Sequence, residues 1–178
     1  MRRCTPIGQR LCLAIASVAA LSCGGSTPTG PSALQIAGTW TGTQTLTAVS
    51  GGECLNVLYS QFIGGSLPIT ITISQTGASL SMSYGGCSYS GTAGASSFTL
   101  ESTATCTQPI QRDYPCQIVD GGGTRDVAFT NETLSGTLSG NSVTINITET
   151  DAVLAAGTSR SVGTLTLTFT AQANRIGT

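Results

Sequence analysis

From Leu34 onward the chain alternates, residue by residue, between apolar and hydroxylated side chains, and few folds tolerate that period of two. Successive side chains of an extended chain point to opposite faces, so strict alternation makes a strand with one face to bury and one for water. In the first run Leu34, Ile36, Gly38, Trp40, Gly42 and Leu46 share one face, and Gln35, Ala37, Thr39, Thr41, Thr43, Thr45 and Thr47 the other. The last run is as regular: Leu165, Leu167, Phe169 and Ala171 alternate with Thr164, Thr166, Thr168 and Thr170. Between them come Leu67/Ile69/Ile71/Ile73, Leu80/Met82/Tyr84, Phe98/Leu100, Val127/Phe129, Leu134/Leu138 and Val143/Ile145/Ile147. Threonine suits the wet face because its branched Cβ favours extended backbone while its hydroxyl meets water.

Short turn signals separate these runs, at Gln75-Thr76-Gly77-Ala78, Gly94-Ala95, Gly140-Asn141 and Ala156-Gly157-Thr158. Links this short join antiparallel neighbours and leave no room for crossover helices. Residues 90–100 and 135–145 share S-G-T, a later Ser and a closing apolar-Thr-apolar, two hairpins with the turn near the middle. The segment 53–63 spaces Cys54, Leu55, Leu58 and Phe62 by three and four, which predicts a short helix closing one end of the β-structure. About eight strands, each apolar on one face, must bury those faces together. The expected fold is therefore all-β, an antiparallel up-and-down β-barrel of about eight strands, with a two-sheet β-sandwich as the alternative. A barrel needs its first and last strands to pair, and these are the two cleanest alternations.

The chain carries 29 Thr, 21 Ser and 23 Gly in 178 residues, only 8% charged residues, and no histidine or lysine. The usual general bases and amine nucleophiles are therefore missing, and no G-x-S-x-G elbow or P-loop occurs. No catalytic residue and no cofactor is expected. Nucleic acid is excluded as a partner, since a basic footprint needs clustered Lys and Arg. Glu149 and Asp151, two apart at a strand end, read as solvated loop residues. The run 120–126, with Asp120 and Asp126 around three glycines, reads as a Gly-rich hairpin loop, because its oxygens do not follow calcium-loop spacing. Asn131-Glu132-Thr133 and Asn146-Ile147-Thr148 read as surface strand residues.

Residues 1–22 have the make-up of an export signal: Arg2, Arg3 and Arg10, then an apolar run at 11–21 too short to span a bilayer. The run ends in Ala20-Leu21-Ser22-Cys23-Gly24, which resembles the bacterial lipoprotein signal. That resemblance implies cleavage before Cys23, lipidation of Cys23 and, with Gly24 following, sorting to the outer membrane of a diderm bacterium. Residues 23–33 are then the lipidated cysteine and a Gly/Ser/Thr/Pro tether, and 34–178 the β-domain. Three of the seven basic residues leave with the signal, so four Arg face eight acids, a net charge of −4.

Cys4 and Cys12 lie in the signal, which leaves Cys54, Cys87, Cys106 and Cys116 in the domain. Four cysteines in an oxidising compartment imply two disulfides with three possible pairings, of which Cys106–Cys116 with Cys54–Cys87 is favoured. The spacings of 33, 19 and 10 residues hold no C-x-x-C knuckle, so no metal site is expected.

Gly38-Thr39-Trp40 in the first strand resembles the G-x-W signature of lipocalins and their calycin relatives. In that superfamily an arginine after the last strand packs across the tryptophan and closes the barrel base. The resemblance implies that role for Arg175 against Trp40. On it rests the leading functional expectation, a non-enzymatic, membrane-anchored lipoprotein whose barrel binds a small apolar ligand. The candidate lining is Trp40, Leu46, Ile71, Met82, Leu100, Phe129, Ile145 and Leu167, with Gly38 and Gly42 leaving interior space. The alternative is a filled barrel serving as a structural or protein-interaction lipoprotein of the cell envelope. It would use a long loop at 107–125 around Tyr114, Arg112, Asp113 and Pro115. A transmembrane barrel is disfavoured because 5% aromatics supply no interfacial girdle.

Overall fold

Nine strands and one short helix account for the alternating runs in the computed structural model, which describes residues 32–103, 106, 108–116 and 123–176. In chain order they are β1 (Gly38–Gly51), α1 (Leu55–Ser60), β2 (Ser66–Thr76), β3 (Ser79–Tyr84), β4 (Cys87–Ala93), β5 (Ser97–Ser102), β6 (Gln111–Cys116), β7 (Gly123–Ser139), β8 (Ser142–Ala155) and β9 (Ser161–Ile176). All pairings are antiparallel. The order β5-β4-β3-β2-β1-β9-β8-β7-β6 closes through a further β5–β7 pairing into a barrel-like ring of eight strands. The all-β up-and-down reading is therefore correct, and the sandwich is not formed. β1 and β9 do pair, over twelve positions from Thr39↔Ile176 to Gly51↔Leu165. The expected signal, Cys23 and most of the expected tether lie outside the described residues.

Apolar faces turn inward and threonine faces outward. Ile71, Ile73, Leu80, Phe98, Leu100, Leu134 and Ile145 are all at most 3% exposed, each burial stabilising the ring by roughly 1.5–3 kcal/mol. Outside, the hydroxyls pair across strands, as in Thr39–Thr72 at 3.0 Å and Thr45–Ser66 at 2.7 Å.

One end of the ring is shut. Residues 32–37 do not extend β1, as the alternation predicts, but cross that end. Gln75 holds them there, its Oε1 accepting from the Ile36 N–H at 2.8 Å and its Nε2 donating to the Leu34 carbonyl at 2.7 Å. Trp40 is fully buried, and its Nε1–H donates to the Ile36 carbonyl at 3.0 Å. The Arg175 guanidinium lies 4.7 Å from the Trp40 ring centroid and donates to the Gln35 carbonyl, a cation–π contact worth roughly 0.5–2 kcal/mol.

The other end is uneven. β3, β4 and β5 have six, seven and six residues, whereas β1, β7, β8 and β9 have 14, 17, 14 and 16. β2 pairs with β3 only over residues 73–76, so its first half, with Pro68, forms a lip beside an opening. A proline fits there because that side needs no N–H. β6 extends the wall above β5 along the first half of β7. The residues around Tyr114 are therefore a strand and not a recognition loop. Buried Asp126 of β7 fastens β6: it accepts from the Arg112 guanidinium at 2.9 Å, the Asp113 N–H at 3.1 Å and the Gly157 N–H at 2.9 Å. The Asp113 and Gly157 N–H bonds and then Arg112 hold this carboxyl below the usual range. Residues 117–122, including Asp120, lie outside the description.

The disulfides are Cys54–Cys116 and Cys87–Cys106, not the favoured pairing. β6 separates Cys106 from Cys116: six extended residues carry the chain roughly 20 Å upward. Cys116 thereby reaches α1, where Cys54 precedes the helix. Cys87 opens β4 at the rim where β5 ends, so Cys106 meets it. Two disulfides are compatible with an exported protein.

Gly42 leaves no interior space, contrary to the sequence expectation. A Cβ there would collide with the Gln172 carbonyl and approach the Ala173 Cα to 2.6 Å, so the glycine serves the close approach of β9. The echoed S-G-T hairpins place Gly91 and Gly136 in the same kind of contact. A Cβ on Gly91 would meet the Thr99 carbonyl, and one on Gly136 the Phe98 ring at 2.6 Å.

Candidate functional site

Packing divides the interior. Toward the shut end a continuous core contains Trp40, Ile71, Met82, Leu100 and Ile145 with half-buried Phe129 against it. Six of the eight residues expected to line a ligand cavity therefore fill the ring instead. A second cluster joins Leu46, Leu55, Val127, Val153, Leu165 and Leu167 beneath α1.

Two cavities open above these cores. The first, about 300 Å³, is apolar and lies between α1, the β2 lip and the β1–β9 wall. Leu46 and Leu167 line it, together with Tyr59, Phe62, Leu67 and Phe169. Phe62 and Leu67 are 59% and 61% exposed, apolar surface left uncovered around a hollow. The helix predicted at 53–63 forms over Leu55–Ser60 and buries Leu55, but Phe62 falls beyond it on the cavity rim and not in the core.

The second cavity, about 340 Å³, lies over the β3–β4 turn and is polar, lined by Gln44, Tyr84, Gln108, Gln111, Glu132 and Glu149. Gln44 and Phe169 border both cavities.

Three acids meet on this side. Glu132 is 6% and Asp151 3% exposed. Glu149 stands opposite Glu132 across the β7–β8 ladder and opposite Leu167 across β8–β9. Asp151 is buried rather than solvated as expected, and Glu149 is half-buried on the wall of the polar cavity. The inward series Val143, Ile145, Ile147 of β8 continues through both acids to buried Val153. Glu132, expected on the surface, is buried as well. A bulge between Phe129 and Asn131 shifts the phase of β7 and turns Glu132 inward with Leu134.

The Tyr89 hydroxyl donates to Glu132 Oε2 at 2.8 Å. Burial pushes the Glu132 carboxyl up to about 7 against the opposing effect of that bond, and nearby Glu149 adds to the rise. Burial also raises Glu149 and Asp151, with the neighbouring Asp151 charge adding to the rise of Glu149 and Glu132 adding to that of Asp151. Asp151 Oδ1 is buried with no hydrogen-bond partner. Burial, aided by the Tyr114 hydroxyl and by Asp151 and Glu149, raises Tyr59, which stays a neutral donor.

Raised carboxyl pKa values have a definite sign. The folded state binds more protons than the unfolded chain, so this stabilisation is complete below the ordinary carboxylate pKa and is lost as pH rises through about 7. Asp126 has the opposite sign, and its contribution is lost only in acid. The melting temperature should therefore be a few degrees higher at pH 5 than at pH 8.5, and Glu132→Gln should reduce that difference. Thermal melts across the range check this, and a rise in stability toward pH 8.5 would contradict it.

No group of three or more acids or cysteines among the described residues is arranged to hold a metal ion. Comparison with protein-family models, with curated proteins and with solved structures returned no match.

Proposed function

We propose that this is a non-enzymatic, lipid-anchored protein of the cell envelope that binds a small, largely apolar ligand at the open end of its ring. One observation carries the reading: a concave apolar cavity of about 300 Å³ keeps Phe62 and Leu67 uncovered at the end of the fold that short strands leave open. The filled half supports a scaffold instead, but none of its fully buried residues lines this cavity.

Anchoring rests on the lipoprotein-like sequence at Cys23. The described chain begins at the shut end, where residues 32–37 cross the ring. Cys23→Ser should release the protein from the membrane fraction, and unchanged association would overturn the anchor.

Binding is tested with the neutral fluorophore 1-aminoanthracene and the purified full chain. Saturable binding with a blue-shifted emission is expected, abolished by Leu167→Trp, which fills the cavity. Absence of saturable binding, or binding untouched by Leu167→Trp, would overturn the reading.

A further inference from the structure

We propose that the ligand of the open end is an amphipathic amine, with its ammonium group in the polar cavity against Glu132 and Glu149 and its apolar body in the adjoining cavity. This rests on the open end being a ligand site and names the chemistry it selects. Four observations lead there.

The two cavities are neighbours, since Gln44 and Phe169 border both. They differ in character, hydrocarbon on the α1 side and acids and amides on the β3–β4 side, so an elongated ligand lying across Gln44 and Phe169 would meet both.

The acids have no cation of their own. Lysine and histidine are absent from the chain. Of the described arginines, Arg112 pairs with Asp126, Arg125 with Glu53, and Arg175 covers Trp40 at the far end. Arg160 sits at the end of the β8–β9 turn, immediately before β9, its backbone bonded to Ala155 and Thr158. Among the described residues no ion pair involves Glu132, Glu149 or Asp151. Buried carboxylates without a countercharge are costly and take up protons instead, and a bound cation would supply the missing charge.

Donors are also short. Tyr89 serves one oxygen of Glu132, and Asp151 Oδ1, in a residue 97% buried on the inward face of β8 two positions from Glu149, has no hydrogen-bond partner. An ammonium group brings a positive charge and up to three N–H donors, which these oxygens lack.

The fourth observation selects an organic cation over a metal ion. The carboxyls are not gathered into a metal cluster. Tyr84 and Phe169 line the same cavity, and aromatic rings attract an organic ammonium while offering no oxygen ligands to a hard metal ion.

The test titrates n-octylammonium, n-octanol and n-octanoate into the purified full chain in a lipid nanodisc by calorimetry, with empty nanodiscs as blank. Octylammonium should bind at least about tenfold more tightly than octanol, as charge-assisted hydrogen bonds require, and octanoate should not bind. In the near-isosteric Glu132→Gln/Glu149→Gln variant the amine preference should vanish while octanol binding persists, which also reports that the fold is intact. If that double variant loses octanol as well, the single variant Glu149→Gln decides: an undiminished amine preference there overturns the proposal. Equal affinity for octanol and octylammonium overturns the amine class alone and leaves the ligand site standing. Failure of all three probes to bind overturns both.

Discussion

Gly42→Val is expected to destabilise the protein by about 3 kcal/mol, the upper range for forcing atoms into a packed site. The reason is where the added carbon would sit. At Gly42 the β1 backbone lies so close to β9 that a Cβ would meet the Gln172 carbonyl and the Ala173 Cα, with no flexible side chain between to yield. The obstructed contact joins first strand to last, with Gly42 opposite Ala173, and the ring closes through it. Relief requires β9 to withdraw, breaking ladder hydrogen bonds, or β1 to slip by one residue. A slip would send Trp40 to the solvent face. Urea unfolding should show a much lower midpoint, whereas an unchanged midpoint would mean that β1 and β9 do not meet as described.

Loss of the Cys54–Cys116 disulfide should have the larger effect. Its ends are 62 residues apart, and restricting the unfolded chain over that distance is worth about 4 kcal/mol on a chain-entropy account, against about 3 for the 19-residue Cys87–Cys106 link. The effect is also local. α1 has six residues, no side-chain cap and one fully buried side chain, Leu55, too little to hold a helix of that length alone. Cys54 ties it to the end of β6, where Tyr59 and Tyr114 pack with ring centroids 5.8 Å apart. The Cys54→Ser/Cys116→Ser variant should lose about 4 kcal/mol by equilibrium unfolding and bind 1-aminoanthracene more weakly, since Tyr59 and Phe62 line the apolar cavity. The Cys87→Ser/Cys106→Ser variant should lose less and keep its affinity. A reversed order would contradict this assignment of the two links.

The frame of the fold was legible because a period of two is a direct record of which side chains face inward. Val143, Ile145 and Ile147 are buried where alternation puts them, and the glycine turns at Gly77, Gly140 and Gly157 have the positive φ they require. Reading failed where that record is broken by geometry or carried by unexpected residues. Bulges in β1 and β7 shift the phase, and the second hid Glu132. In β8 the alternation persists but passes from isoleucine to acid, and chemistry was allowed to overrule period. β6 shows no alternation, since Gln111-Arg112-Asp113 is held by Asp126 and not by burial of one face. Cysteine pairing was out of reach because it depends on which rim each strand ends at. The cavity at the open end depends on unequal strand lengths, and no single run of sequence displays those.

That the open end carries a ligand is tested most directly by mass. The full chain, purified after exposure to an extract of its host's envelope, is measured under native and denaturing conditions. A discrete adduct present only in the native spectrum, and lost in Leu167→Trp, is the predicted result, and its mass begins to identify the ligand. A native mass with no adduct, only four hydrogens below that of the reduced chain, two for each disulfide, would contradict ligand carriage and leave the filled ring as a scaffold.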